Sequence, residues 1–210
     1  YHARRVMADA TAREPVRGTP PPGEPARSMA LSLGEASVAA VSSRIFSGPL
    51  CTAAAILLGA REQHLGLLAA LGALATLGSV LTALLAGRIR SRRRFAVPLA
   101  LLGRAVWLVP AACLILPLPR GLALPLLLAT AFVGPALIHM AVNAWQSWMT
   151  DLVPAPQRGR FFGFRNTLSQ AADMAAAYLS GRCYDAGEAA GAAGPTLALL
   201  LCAAVGVGIV

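Results

Sequence analysis

The chain has 210 residues, 57% of them hydrophobic and only 13% charged, with a mean hydropathy of +0.64. A soluble domain carries about a quarter of its residues as charged groups, so this composition excludes one and points to helices that live in a lipid bilayer. The net charge of +9 comes from eighteen basic residues, all arginine, most of them in three clusters that alternate with apolar runs. That is a topology signal, and it excludes the continuous basic stripe that a nucleic-acid partner needs.

Residues 1–27 carry five arginines, three acids and the run Thr19-Pro20-Pro21-Pro22-Gly23. Such a segment cannot bury apolar surface, so residues 1–30 are expected as a disordered, basic, Pro-rich cytoplasmic tail. It lacks the apolar stretch of a signal peptide. Met29 offers an alternative start, and the ends at Tyr1 and Val210, the latter inside an apolar run, read as those of a fragment.

Residues 31–210 divide into six apolar runs, at about 35–59, 65–87, 95–118, 122–149, 167–184 and 195–210. Runs near 20 residues are the length of a membrane span. The expected fold is therefore an all-α membrane protein of six transmembrane helices, the last one truncated. Gly48-Pro49 is a kink site in the first span. The second carries Ala69/Ala73, Gly72/Thr76 and Ala75/Ser79, small residues four apart. These are either a close-packing seam or simply an alanine-rich composition.

Arg88-Ile89-Arg90-Ser91-Arg92-Arg93-Arg94 separates spans 2 and 3, and Arg158, Arg160 and Arg165 follow span 4. The alternate connections hold only Arg61, Arg120 and Arg182. Arginine gathers on the cytoplasmic side, so the N-terminus is inside.

Cys51, Cys113, Cys183 and Cys202 have no C-x-x-C spacing, and His2, His64 and His139 form no H-E-x-x-H pair. Metal ligation needs clustered ligands. The cysteines read as small buried side chains, with no metal, no cofactor and no enzymatic site.

Trp145 to Asn166, WQSWMTDLVPAPQRGRFFGFRN, reads as a short cytoplasmic hairpin, with tryptophans at the bilayer boundary and arginines beyond it. It resembles the loop between helices 4 and 5 of bacterial major facilitator superfamily transporters, in the branch with W-x-x-W-x-x-D-[LI]-[VI]-P…R-G-R-[FY]-F-G-x-R-N. The matching residues are Trp145, Trp148, Asp151, Leu152, Val153, Pro154, Arg158, Gly159, Arg160, Phe161, Phe162, Gly163, Arg165 and Asn166. The family's loop 2–3 motif, G-x-x-x-D-R-x-G-R-R-R, matches only at Arg92, Arg93 and Arg94. Its glycine, acid, next basic position and second glycine fall on Leu84, Arg88, Ile89 and Ser91.

The resemblance covers about residues 30–210 and implies the amino-terminal, 3+3 half of a secondary active transporter in the bacterial inner (cytoplasmic) membrane. Such proteins bind a small solute near the midplane between two six-helix halves and alternate access by rocking. Its implied partners are the lipid bilayer, the solute with a coupling proton or ion, and a C-terminal six-helix half of the same chain. In related transporters a loop 2–3 arginine pairs with an acid at the end of helix 4, as a cytoplasmic gate; the matching positions are Arg92 and Asp151. The rival classes are a six-helix scaffold that moves nothing and the membrane domain of an ATP-driven exporter. Short cytoplasmic loops argue against the exporter.

Ionisable residues inside the spans favour transport over scaffolding. Arg44 lies nine residues after Glu35, Arg104 nine after Phe95 and Asp173 seven after Asn166, while Asn143 lies eight before Asp151. At about 1.5 Å per residue these four share a depth of roughly 10–14 Å. A charge at the bilayer centre costs at least about 2.5–3.5 kcal/mol, so such groups face the bundle interior. Snorkelling accounts for either arginine alone, but Asp173 has no long stem. Asp173 is thus expected to pair with Arg104 or Arg44, leaving one positive charge near Asn143 to meet an anionic or polar solute.

The arginine asymmetry makes a direct prediction. In a cysteine-free background, cysteines at Ser91 and Gln157 should resist an impermeant thiol reagent added from outside. Labelling of either would overturn the orientation.

Overall fold

The structure, a computed structural model, describes residues 24–85, 89, 91–116 and 119–209, with side chains for all of these except 24–31, 120, 151 and 152. Among the described residues every regular element is helical: α1 (Glu24–Phe46), α2 (Pro49–Leu57), α3 (Glu62–Ala75), α4 (Leu77–Leu85), α5 (Arg92–Ala105), α6 (Leu108–Ile115), α7 (Arg120–Leu152), α8 (Arg158–Ala189) and α9 (Ala193–Ile209). They form six rods, three of which are jointed: α1–α2, α3–α4 and α5–α6.

Each joint has a local cause. Between α1 and α2, Gly48 takes φ +83° and Pro49 opens the next helix, where its missing N–H is not needed. This is the kink expected at Gly48-Pro49, deepened to a break. Between α3 and α4, the Thr76 hydroxyl donates to the Ala73 carbonyl at 2.7 Å and competes with the helical ladder. Between α5 and α6, Pro110 can neither donate to the carbonyl of Val106 nor avoid it. The chain tightens there into three-residue bonds, Trp107 N–H to the Arg104 carbonyl and Val109 N–H to that of Val106. Neither of the last two joints was foreseen.

Among the described residues four stretches are long and apolar enough to cross a membrane: Ser32–Leu57, Glu62–Leu85, Arg92–Ile115 and Gly121–Thr150. They coincide with the first four expected spans. α8 has 32 residues but carries arginines and acids along its length, and α9 is apolar but has 17 residues.

Contacts at successive levels fix the direction of each rod. Glu35 meets Arg165 and Arg44 meets Asp173, so α1 and α8 advance together in parallel. Gly187 abuts Thr196 across the short link after α8, so α9 folds back antiparallel. Arg104 lies against Gly208 and Leu114 against Gly194, so α5–α6 opposes α9. Arg92 reaches Ser147 while Gly103 meets Gly134, so α5–α6 also opposes α7. Gly78 meets Ala136 and Thr82 reaches Met140, four residues on along both helices, so α4 follows α7. The six rods therefore alternate in direction. The α4–α5 link and the α7–α8 turn share one end of the bundle with the start of α1, and so do Arg92, Arg93, Arg94, Arg158 and Arg160.

Close crossings hold the rods together. Phe46 stacks on Trp107 with ring centroids 4.9 Å apart, and the indole Nε1 stands 2.7 Å from where a methyl on Gly134 would sit. A methyl on Gly103 would come within 2.9 Å of the Gly134 carbonyl oxygen. Around this knot pack Leu127, Leu197, Leu201 and Ala204, all fully buried.

Several expectations change. The hairpin at Trp145–Asn166 shrinks to residues 153–157, including one 3₁₀ turn (Ala155–Gln157), because only Pro154 and Pro156 interrupt the pattern. Trp145 and Trp148 end α7, and Arg158 to Asn166 open α8. The tail expected over residues 1–30 overlaps α1 from Glu24, where Pro25 suits a first helical turn; residues 1–23 lie outside the described residues. In the second rod Ala75 is buried and Ser79 half-buried, but Ala69, Ala73 and Thr76 are exposed and Gly72 touches nothing. The tight contact belongs to Gly78 instead. Cys51 and Cys113 are buried, but Cys183 and Cys202 are exposed, on outward faces where an apolar thiol suits lipid as well as a core.

Gly78 and Gly72 should respond oppositely to alanine. In an open helix Gly→Ala gains up to about 1 kcal/mol from propensity, and Gly72→Ala should hold or raise Tm in detergent. Gly78→Ala drives a methyl into the Ala136 carbonyl and should cost about 1–3 kcal/mol, lowering Tm. A higher Tm for Gly78→Ala would refute the close crossing.

Candidate functional site

Apolar surroundings make ionisable side chains the natural place to look for chemistry. α1 contributes Glu35 and Arg44, α5 contributes Arg104, and α8 contributes Arg165 and Asp173. α1 and α8 pack along much of their length, and their charges are complementary level by level.

At the deeper level Arg44 and Asp173 form a two-pronged pair: Arg44 Nε donates to Asp173 Oδ1 at 2.8 Å and Nη2 donates to Oδ2. Parallel guanidinium–carboxylate bonds of this kind are the strong ones. Of the two arginines weighed as partners for Asp173, the structure gives Arg44.

Eight or nine residues nearer the basic end, roughly 12–14 Å along the helices, Glu35 sits between two guanidiniums. Arg165 Nη2 donates to Glu35 Oε2 at 3.4 Å, and Arg104 Nη2 lies 3.9 Å from Oε1. Both separations exceed the 2.7–2.9 Å of a well-made charge-assisted bond. Arg165 also lies over the Trp145 ring, its guanidinium carbon 4.1 Å from the centroid. Such a cation–π contact contributes about 0.5–2 kcal/mol according to how dry it is. Arg104 is held from behind by α9: a methyl on Gly208 would come within 2.8 Å of its Nε. Beside it the buried Ser42 hydroxyl donates to the Ala204 carbonyl at 2.9 Å, joining α1 to α9.

The structure does not bring Asn143 to these charges. Its Nδ2 donates to the Ser79 carbonyl at 3.1 Å, and one turn away the Thr82 hydroxyl donates to the Met140 carbonyl at 3.2 Å. Residues 143 and 145 lie about 200° apart around a helix. The face of α7 that bears Asn143 therefore binds α4, and the face that bears Trp145 meets Arg165.

At the basic end Arg92 Nη1 donates to the Ser147 carbonyl at 2.9 Å, which places α5 against the last turns of α7. The gate partner expected for Arg92, the side chain of Asp151, lies outside the described residues. Arg158 Nε donates to the Val153 carbonyl at 2.9 Å and closes the turn between α7 and α8. Trp148 is half-buried. Gly159 and Gly163 face open space. Arg160 is exposed and lines an open depression with Gln157, Phe161 and Phe164.

Two members of the cluster were missed as such: Glu35 served only as a depth marker, and Arg165 only as part of a loop motif. A signal for them exists. Rod 1 reads acid then base (Glu35, Arg44) and rod 5 base then acid (Arg165, Asp173), at nearly equal spacing. That is the pattern two parallel helices need to pair at both levels.

Comparison with family models, with curated proteins and with solved structures finds no match.

If Arg44 and Asp173 act as one unit, Arg44→Gln and Asp173→Asn should each destabilise the protein in detergent, and the double variant should lose less than the sum. Coupling of groups in contact is typically about 0.5–3 kcal/mol, and the partial exposure of Arg44 argues for the lower part of that range. Additive losses would show that the two charges act independently.

Proposed function

We propose that this chain forms one six-helix half of a secondary active transporter, which moves a small solute across the bacterial cytoplasmic membrane by alternating access of the major facilitator type. The observation that carries this reading is the cluster of five ionisable side chains among α1, α5 and α8. Keeping charge inside an apolar bundle is costly, and such residues mark solute and ion pathways. A scaffold whose only task is to hold partners has no need of them.

The alternation of six rods supports six crossings, including α8, whose Arg165 and Asp173 are met by Glu35 and Arg44 of α1. The arginines gathered at one end support a cytoplasmic N-terminus, with both basic connections inside. The solute, with a coupling proton or ion, binds at the open side of the cluster, which a second six-helix half of the same protein completes. Arg92 and Asp151 form the cytoplasmic gate, which the hold of Arg92 on the Ser147 carbonyl supports by placing it within the last turns of α7.

The test needs no knowledge of the solute. In the full-length protein with native cysteines replaced, single cysteines at Asn166 and Tyr184 report access from the two ends of α8. Releasing the gate with Asp151→Asn should raise labelling at one position and lower it at the other. An exposed ion pair is worth about 0–1 kcal/mol, so the shift should be up to about fivefold. Rates that never move in opposite senses would favour the scaffold.

A further inference from the structure

The charge cluster is not balanced. Three guanidiniums, those of Arg44, Arg104 and Arg165, face two carboxylates, those of Glu35 and Asp173. Arg44 and Asp173 satisfy each other. Glu35 is left to serve both remaining arginines, at 3.4 and 3.9 Å, and makes a close bond with neither. The Nε of Arg165 is buried and has no hydrogen-bond acceptor among the described residues. The side chains of Arg104 and Arg165 are only 12% and 17% exposed, whereas Glu35, on the open side, is 51% exposed. Both arginines are held in place, Arg165 by the Trp145 ring and Arg104 by the glycine surface at Gly208. Two fixed, largely dry guanidinium forks with one loosely held carboxylate between them make a receptor for a second oxyanion. A guanidinium fork matches carboxylate and phosphate oxygens in pairs.

We infer that Arg104 and Arg165 bind the carboxylate or phosphate group of an anionic solute, which displaces Glu35 from between them. Glu35 is the competitor, holding the site in the absence of solute and swinging toward the open side when solute enters. Trp145 is the platform that orients Arg165. That the bound anion is cargo rests on the transporter reading; the anion site itself does not.

The site carries its own reporter, because an anion drawn to Arg165 alters the surroundings of the Trp145 ring. Full-length protein in neutral detergent, carrying Trp148→Phe to reduce background, would be titrated at constant ionic strength with inorganic phosphate, succinate and, as a neutral control, glycerol. Trp fluorescence should change saturably with at least one of the two anions and not with glycerol. Arg104→Gln and Arg165→Gln should each weaken binding at least tenfold, and Arg165→Lys should fail to restore it, since an ammonium lacks the fork. Arg93→Gln, at the exposed basic end, should change nothing. The decisive variant is Glu35→Gln, which removes a charge and should tighten anion binding about tenfold. It also keeps the test sound if an arginine variant fails to fold. Loss of affinity or no effect in Glu35→Gln would overturn the inference, as would a response unaffected by both arginine substitutions. A response saturated by phosphatidylglycerol micelles and by neither free anion would make the ligand a lipid headgroup and overturn the solute assignment. Anion binding without reciprocal accessibility of Asn166 and Tyr184 would keep the site and remove the transporter; reciprocal accessibility without anion binding would do the reverse.

Discussion

A guanidinium inside an apolar bundle must find a counter-charge, and in this chain that requirement selects which helices lie side by side. α1 holds Arg44 and α8 holds Asp173; neither rod is comfortable in hydrocarbon without the other. Once Arg44 and Asp173 are joined, the parallel course of α1 and α8 puts Glu35 and Arg165 level with each other. α9 then folds back from α8 and meets α1 through Ser42 and Ala204. One ion pair thus positions three of the six rods.

The other three are held by shape. α4, α5 and α7 meet where glycines remove the side chain and let backbones touch, at Gly78, Gly103 and Gly134. Membrane helices gain little from hydrophobic burial against each other, so packing contacts and hydrogen bonds between helices must supply the specificity. The bonds of Thr82 and Asn143 across α4 and α7 do this with two polar side chains whose partners are backbone carbonyls. Trp107 links the two groups of rods, with Phe46 of α1 on its face and Gly134 of α7 against its edge.

Much of the fold was legible because hydropathy reports length and composition directly: the four stretches able to cross a membrane lie where the apolar runs predicted. The joints were not equally legible. Gly48-Pro49 carries its own signal, whereas the break at Val106–Trp107 depends on a proline four residues on, and Pro125 and Pro135 leave α7 unbroken. The site was read half correctly for a physical reason. Counting depth from helix ends brought Arg44 and Asp173 to one level, but depth says nothing of which way a side chain faces. Asn143 turns to α4, where it bonds the Ser79 carbonyl. Glu35 entered only as a depth marker and Arg165 only as a loop-motif residue, because each stands near the basic end of its run, although each belongs to a charge ladder with its neighbour.

The partners Arg44 and Asp173 are separated by 129 residues, which has a consequence for how the protein is made. Ribosomes add about 5–20 residues per second, so the first rod is complete on the order of ten seconds before Asp173 exists. Throughout that interval Arg44 lacks Asp173, and its long stem can carry the charge toward the interface. The pair that joins the first rod to the fifth can therefore form only after rods 2 to 4 have been made.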